Sequence, residues 1–234
     1  MKPSMILLSS LLCLTICAHA AKSIDERIEL REDQEVVLKL KFAESINVIP
    51  VNENILHVKG DIEINDGEND DAYSVEVENS QSSVIVQSHL EHDEEHYRII
   101  QTFDKDGNLK STSRSVDVKG HYNVEVPRSW KLSVKTINAD INITNQAAPM
   151  KIESINGEID FRFDQNDDLD LKVSTINGDC YTDTEFDWIG KRPKSYQVGR
   201  TKAQVRLNNG GLPIELKTIN GFMYLRRHNN HHSM

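Results

Sequence analysis

The sequence predicts an all-β protein built as a β-solenoid-like stack of short strands. A six-residue phrase recurs four times in its second half, and the isoleucines of the phrase lie 18, 21 and 43 residues apart. Short runs with period-two alternation, as in Glu35–Phe42, are separated by Gly, Asn and Asp, and no convincing amphipathic helix is present. The four copies are Thr136–Ile141 (TINADI), Ser154–Ile159 (SINGEI), Thr175–Cys180 (TINGDC) and Thr218–Met223 (TINGFM).

A step of about twenty residues fits one coil of a β-solenoid, with the phrase at a corner that every coil repeats. Stacked corners would align their asparagines, whose side chains can then exchange hydrogen bonds. We expect Asn and Gly here because both tolerate positive φ. The step of 43 predicts one degenerate coil near Tyr196–Leu207. The predicted structural corner residues are Asn138, Asn156, Gly157, Asn177, Gly178, Asn220 and Gly221.

A second architecture is open to the same residues. Asn-Gly favours tight turns in β-hairpins, and each phrase has apolar strand residues on both sides. A four-blade or sandwich arrangement of hairpins is therefore the alternative. Ala139 stands where the other copies have glycine, which predicts a corner of different shape or mild strain.

The first twenty residues have the pattern of a secretory signal peptide. Lys2 precedes the apolar run Met5–Cys17, and Ala18-His19-Ala20 forms an A-x-A cleavage signal. Cleavage near Ala20 predicts a periplasmic or secreted protein without an integral membrane span. A lipoprotein signal at Cys17 is disfavoured because Ile16 precedes it. We divide the rest into a strand-rich N-terminal part (21–115), the repeat β-solenoid (116–227) and a disordered tail (228–234).

Charge and cysteine content restrict the function. The formal net charge is −10, and it becomes −11 when Lys2 leaves with the signal peptide. This long-range field disfavours nucleic acid as a partner, whereas an envelope protein or a polysaccharide stays possible. Cys180 is the one cysteine after cleavage, so no internal disulfide is expected. It holds the apolar position of Ile141, Ile159 and Met223, which predicts a buried, unreactive thiol.

The segment His89–His96 (HLEHDEEH) is the candidate metal site. Its imidazoles His89, His92 and His96, with neighbouring carboxylates, could ligate zinc, copper or nickel. A solvated, charged loop is the alternative. Asp93 stands where a zinc protease needs glutamate, so metalloprotease chemistry is not supported. The alternative function is accordingly periplasmic metal binding or sensing.

No pattern of catalytic residues is found. The sequence has no Gly-x-Ser-x-Gly elbow and no phosphate-binding glycine loop. A polysaccharide-active β-helix enzyme would need clustered acids and bases, but the acidic residues fall mostly in turns. We therefore expect a non-catalytic protein without a cofactor. An exposed aromatic strip for glycans or partners could come from Trp130, Trp188, Tyr181 and Tyr224, although aromatic residues at solenoid corners more often cap the core.

A family resemblance rests on Tyr122–Pro127, on Lys131–Asn138 and on the repeated Ile-Asn-Gly-acid-Ile. This series resembles a bacterial family of putative adhesins of unknown function, labelled DUF4097, over about Val116 to Arg227. The resemblance implies an exported β-solenoid-like protein of the cell envelope, acting as an adhesin-like interaction or structural module. The family has no established catalytic residues. Ala139, and Phe222 in place of the acid, depart from its pattern.

Overall fold

The computed structural model describes residues 21–91, 96–190 and 201–228. The predicted signal peptide, His92 and residues 229–234 of the predicted tail lie outside these ranges. Within them the chain forms strands and one short 3-10 turn, Asp70–Ala72. The strands are β1 (Lys22–Glu29), β2 (Glu35–Lys39), β3 (Ser45–Val51), β4 (Ile55–Ile64), β5 (Tyr73–Asn79), β6 (Ser83–Leu90), β7 (Arg98–Phe103), β8 (Leu109–Ser115), β9 (Val118–Pro127), β10 (Leu132–Lys135), β11 (Asp140–Thr144), β12 (Met150–Glu153), β13 (Ile159–Phe163), β14 (Leu169–Thr175), β15 (Cys180–Thr182), β16 (Asp187–Trp188), β17 (Thr201–Leu207), β18 (Leu212–Lys217) and β19 (Met223–Arg227).

Two large sheets and one hairpin contain these strands, which confirms the all-β prediction. The first sheet has the order β1-β4-β9-β3-β11-β13-β19-β15, and the second has the order β16-β17-β14-β18-β12-β10-β2-β6-β5. Strands β7 and β8 form a separate two-stranded sheet. Neither large sheet closes on itself, so strand order alone does not establish a solenoid.

Each copy of the phrase connects a strand of the second sheet to a strand of the first. The strand pairs are β10 and β11, β12 and β13, β14 and β15, and β18 and β19. Neighbouring copies pair in parallel and in register, as Leu132 with Met150 and Ile141 with Ile159 show. Because the two strands beside each phrase belong to different sheets, the hairpin interpretation of the phrase is wrong.

The copies do not stack in chain order. Strands β18 and β19 of the fourth copy lie between those of the second and third copies. The predicted degenerate coil near Tyr196–Leu207 is wrong where it can be examined, because β17 pairs antiparallel with β14 at the outer side of the second sheet. The rest of that prediction lies outside the described residues. The 43 residues between the third and fourth copies therefore include the antiparallel strand β17. The fourth copy then takes a position between the second and third.

The N-terminal strands extend both sheets of the repeat. Strand β2 pairs in parallel with β10, and β3 pairs in parallel with β11. Strands β6 and β9 then add parallel neighbours to β2 and β3. Alternate side chains of both sheets point into one apolar cluster that runs the length of the stack. Burial of this apolar surface, at about 25 cal/mol per Å², is the main stabilising contribution expected for such a fold.

Candidate functional site

The four corners have the same length. In-register pairing places Lys135, Glu153, Lys217 and Ser174 side by side, and four residues follow each of them before the next strand register resumes. Every corner begins with a hydroxyl residue and continues with Ile and Asn. The corner residues are Thr136–Ala139, Ser154–Gly157, Thr218–Gly221 and Thr175–Gly178, in stacking order.

The corner asparagines form a continuous side-chain ladder. The amide nitrogen Nδ2 of Asn156 donates to Oδ1 of Asn138 at 3.0 Å, and that of Asn220 donates to Asn156 at 2.7 Å. Asn177 donates in turn to Asn220 at 2.7 Å. A second, shorter ladder crosses the first sheet, where Asn142 donates to Asn47 and Asn47 donates to Asn123, both at 3.0 Å. Parallel stacking in register brings like side chains together and makes these ladders possible.

The corner glycines are required by close approach, because the expected positive φ is not found at any corner residue. A Cβ on Gly157 would overlap the backbone carbonyl oxygen of Ala139. The same overlap would arise between Gly221 and the oxygen of Gly157, and between Gly178 and the oxygen of Gly221. Ala139 is tolerated because the corner before it, residues 40–44, is one residue longer and follows a different path.

The hydroxyl at the start of each corner is buried, a role that the sequence interpretation missed. Thr218 Oγ1 donates to the carbonyl oxygen of Gly157, and Thr175 Oγ1 donates to that of Gly221, both at 3.1 Å. Ser154 Oγ makes the equivalent bond to the oxygen of Ala139 at 3.4 Å, whereas Thr136, which faces the longer corner, donates to the oxygen of Leu40 at 2.7 Å. A buried carbonyl without a partner would cost free energy, so these bonds stabilise the close stacking. The signal was present in the sequence as the recurrent Thr or Ser before Ile-Asn.

A groove runs beside the stacked corners, across β2, β10, β12 and β18. It has a volume of about 390 Å³. Its apolar lining consists of the corner isoleucines Ile137, Ile155 and Ile219, and Ile155 is 40% exposed. Its polar lining includes four lysines and one carboxylate, so the local formal charge is +3 on a strongly acidic chain. We call this feature the isoleucine–lysine groove; its charged residues are Lys39, Lys41, Lys135, Lys217 and Glu153.

The groove charges are only partly paired. Glu153 accepts ion pairs from Lys135 at 3.6 Å, from Lys217 at 3.8 Å and from Lys151 at 3.5 Å. Lys39 and Lys41 make no ion pair with the part of the chain that the structure describes. One carboxylate therefore faces several ammonium groups, and the groove keeps an excess of positive charge.

Comparison with known proteins supports the fold. No family model matches the chain, and no curated protein matches it. Among solved structures, the chain is similar to a "putative cell adhesion protein" from Clostridium sporogenes, with 10% identity and a TM-score of 0.52, over 89% of this chain and 100% of that one. Two further structures described as "putative adhesin" have TM-scores that are too low to support an argument. They come from Parabacteroides merdae (12% identity, 69% of this chain, 64% of that chain, TM-score 0.27) and Bacteroides fragilis (9%, 90%, 99%, 0.20).

At such identities the Clostridium sporogenes structure shows a shared fold and nothing about activity. It supports the adhesin-like fold of the resemblance. Membership of the family labelled DUF4097 stays a prediction.

The predicted metal ligands are only partly described. His89 lies on β6, and its Nε2 is 3.1 Å from Glu76 Oε2. Nδ1 of His96 lies 3.2 Å from the backbone oxygen of Glu91, and His92 lies outside the described residues. In the described ranges, no group of three or more His, Cys, Asp or Glu side chains could hold a metal ion. The two described histidines therefore have local partners, and the metal site is untested.

The predicted aromatic strip is divided between the sheets. Tyr181 and Tyr224 are adjacent on β15 and β19, with ring centroids 5.7 Å apart, and Phe222 lies 5.9 Å from Tyr181. The guanidinium of Arg226 lies 4.4 Å over the ring of Tyr224. Trp188 lies on β16 in the other sheet. The first sheet thus carries a small aromatic cluster that includes Phe222, which the sequence interpretation had treated as a departure.

A projecting hairpin carries further exposed apolar residues. On β7 and β8, Ile99, Phe103 and Leu109 are 63%, 59% and 55% exposed. Two of them form a cross-strand pair, Phe103 with Leu109. Exposed apolar side chains grouped in this way are typical of contact surfaces.

In the described ranges, no helix is long and apolar enough to cross a membrane.

Proposed function

We propose that the chain is an exported, non-catalytic interaction module of the bacterial envelope, adhesin-like in architecture. The observation that carries this proposal is the isoleucine–lysine groove, a concave apolar surface with an excess of positive charge among the described residues, on a stack of paired strands. The shared fold with the Clostridium sporogenes structure supports the same conclusion at the level of architecture. Two carboxylates elsewhere on the sheets form ion pairs within the chain: Asp160 binds Arg162 and Arg226, and Asp170 binds Arg206.

We also propose that the stack is a β-solenoid with a permuted order of coils. Equal corner lengths, in-register parallel pairing and the asparagine ladder all support it. An electron-density map of the mature chain tests this architecture. The proposal is supported if the chain from β10 to β19 turns with the same handedness in every copy. A copy that turns with the opposite handedness would exclude it.

Binding to envelope material tests the interaction function. The mature chain, residues 21–234, is incubated with sedimentable envelope preparations from its native cells, and retention in the pellet is measured. Retention that saturates and that unlabelled mature chain abolishes is the expected result. Heat-denatured chain is the control for non-specific adsorption. Equal retention of native and denatured chain, or no retention, would reject the proposal.

Export is tested separately by the N-terminus of the secreted product. Expression in an export-competent bacterium is expected to give a chain that starts at Ala21, because Ala18 and Ala20 fit the small-residue sites of signal peptidase. A matched variant with Ala18→Asp and Ala20→Asp should retain its leader. Intact mass spectrometry distinguishes the two products, and an uncleaved wild-type chain in the cytosol would contradict export.

The metal-binding alternative stays a prediction, because it requires His92. Calorimetry of the mature chain with zinc, copper and nickel tests it. A dissociation constant tighter than about 1 µM, lost in a triple variant of His89, His92 and His96 to alanine, would support it.

A further inference from the structure

We propose that the isoleucine–lysine groove binds a polysaccharide of carboxylated sugars, lying along the stack across β2, β10, β12 and β18. This inference rests on the proposed interaction function and names its ligand class. Three properties of the groove lead to it: its local charge, its repeat distance and its apolar floor.

The local charge favours an anionic ligand. A row of charged side chains borders the groove, and strand register sets its order. Lys39 lies beside Lys135 on the neighbouring strand, Lys135 lies beside Glu153, and Glu153 lies beside Lys217. Three of its four members are cations, and Lys41 adds another. Lys135 and Lys217 keep side-chain exposures of 54% and 49%. Their ammonium groups are therefore accessible to a ligand in the groove.

The acidic remainder of the chain does not cancel this attraction. The Debye length is about 8 Å at physiological ionic strength, so charges further away are largely screened. Four strands spaced by about 4.8 Å make the groove about 14 Å long. A bound anion therefore interacts mainly with the lysines next to it. Binding is expected to weaken as salt is added, because these contacts are exposed.

The repeat distance favours a sugar chain over an acidic peptide. The corner isoleucines repeat once per strand, at about 4.8 Å along the stack. An extended peptide presents like-facing side chains every two residues, at about 6.8 Å, which falls out of step within two repeats. A linked six-membered sugar ring advances by nearly the strand spacing. Successive rings can then each meet one isoleucine, and the rings whose carboxylates face the lysine row can form ion pairs with it.

The floor of the groove suits the apolar face of a sugar ring. Ile137 and Ile219 are half-buried, and Ile155 is 40% exposed. Together they offer branched aliphatic surface that the C–H groups of a ring can cover. Neutral sugars could use this floor and accept hydrogen bonds from the lysines, but they would form no ion pair with them. The combination therefore selects for rings that carry a carboxylate.

Calorimetry with tetragalacturonate and the mature chain tests the proposal. We expect binding to the wild type and weakening by about tenfold in the Lys39→Gln, Lys41→Gln double variant, because two exposed ion pairs are lost. The matched control is Lys105→Gln with Lys110→Gln, which removes the same charge from the β7–β8 hairpin. A second pair compares Ile155→Ser in the groove with Ile99→Ser on the hairpin. Thermal unfolding of every variant shows that the fold is intact.

The outcomes separate the ligand class from the proposed function. Equal loss in groove and control variants would overturn the proposal, as would equal binding of neutral tetragalactose. Tighter binding of a polyglutamate peptide would overturn it in favour of an acidic peptide. If the groove variant is retained on envelope preparations as well as the wild type, the polysaccharide proposal fails and the interaction function stands. If the wild type itself is not retained, both fail.

Discussion

The side-chain amide of Asn220 donates a 2.7 Å hydrogen bond to Asn156, although the copy of the phrase that contains Asn177 lies between them in the sequence. Asn177 is displaced to the end of the ladder, where it donates to Asn220. The ladder therefore records the stacking order of the copies directly, as 138, 156, 220 and 177. Its inner members make two ladder bonds, whereas its ends make one.

The substitution Asn156→Ala is expected to lower the free energy of unfolding by about 1 to 3 kcal/mol, because two hydrogen bonds of about 0.5 to 1.5 kcal/mol each are lost. Asn138→Ala removes one such bond and should cost about half as much. Urea denaturation of the mature chain measures both values. An equal cost for the inner and end positions would show that the ladder bonds contribute little to stability.

The substitution Gly221→Ala should be far more damaging, at about 3 kcal/mol or more. The added methyl would overlap the carbonyl oxygen of Gly157, and backbone cannot yield as a flexible side chain would. The reciprocal change Ala139→Gly is the control, because no methyl is added and only about 1 kcal/mol is lost through chain entropy and burial. Denaturation midpoints compare the two. A cost for Gly221→Ala below that of the control would refute the close approach.

The sequence predicted where the corners lie, but it did not reveal why glycine is required there. Recurrence of Ile-Asn-Gly identified a corner. Positive φ was the expected reason for glycine, since sequence alone does not show how near the next copy lies. Close approach between corners depends on stacking, and stacking brings Gly157 against Ala139 and Gly221 against Gly157.

The order of the copies is not encoded in their spacing. A spacing of 43 residues fits either two solenoid coils or one coil and an additional strand outside the repeat. Both arrangements produce the same pattern of apolar residues in the sequence. The chain takes the excursion through β17, which pairs antiparallel with β14. Likewise, the lysine row of the groove exists only after strand register places Lys39 beside Lys135. These residues are 96 positions apart in the sequence.

Strand β1 shows where periodicity fails as a signal. Only Ile24 and Ile28 are buried on Lys22–Glu29, four residues apart, among charged side chains. Apolar residues therefore do not occupy every second position, and the sequence of this segment carries no clear period of two. Antiparallel pairing with β4 along its full length makes it a strand.

His57 gives stability a dependence on pH. Its ring is 3% exposed, with Nε2 2.6 Å from Asp25 Oδ1 and Nδ1 3.1 Å from Glu125 Oε2. The hydrogen bond to His57 lowers the pKa of Asp25 below its ordinary 3.8. Desolvation raises the pKa of Glu125, but hydrogen bonds with His57 and Lys59 outweigh it and leave that pKa below 4.5.

A carboxyl group whose pKa is lower in the folded than in the unfolded state stabilises the protein at any pH above its unfolded pKa. This stabilisation is lost as the pH falls through the folded pKa. The variant His57→Gln should therefore be less stable at neutral pH and lose less stability on acidification from 4.5 to below 3.8, where the lowered pKa values of Glu125 and Asp25 lie. Urea denaturation across this range measures both slopes. His121→Gln is the control, because His121 is exposed and pairs with Glu44 at 3.4 Å. Parallel curves for His57→Gln and the wild type would contradict the linkage.

Cys180 is expected to resist alkylation in the folded chain. Cys180 is only partly buried, against the apolar core, rather than fully buried as the sequence predicted. Desolvation, with a smaller contribution from the charge of Asp179, raises the pKa of its thiol to about 12. The thiolate is the reactive form, and the rise from the ordinary pKa of 9.0 lowers the thiolate fraction at neutral pH by about a thousandfold. Iodoacetamide should label the mature chain slowly in buffer and rapidly in urea, with Cys180→Ser unlabelled in both. Equal rates in the two conditions would mean that Cys180 is accessible as a nucleophile. Slow labelling in buffer would show that the fold shields the thiol, which stands beside Met223 in the strand register.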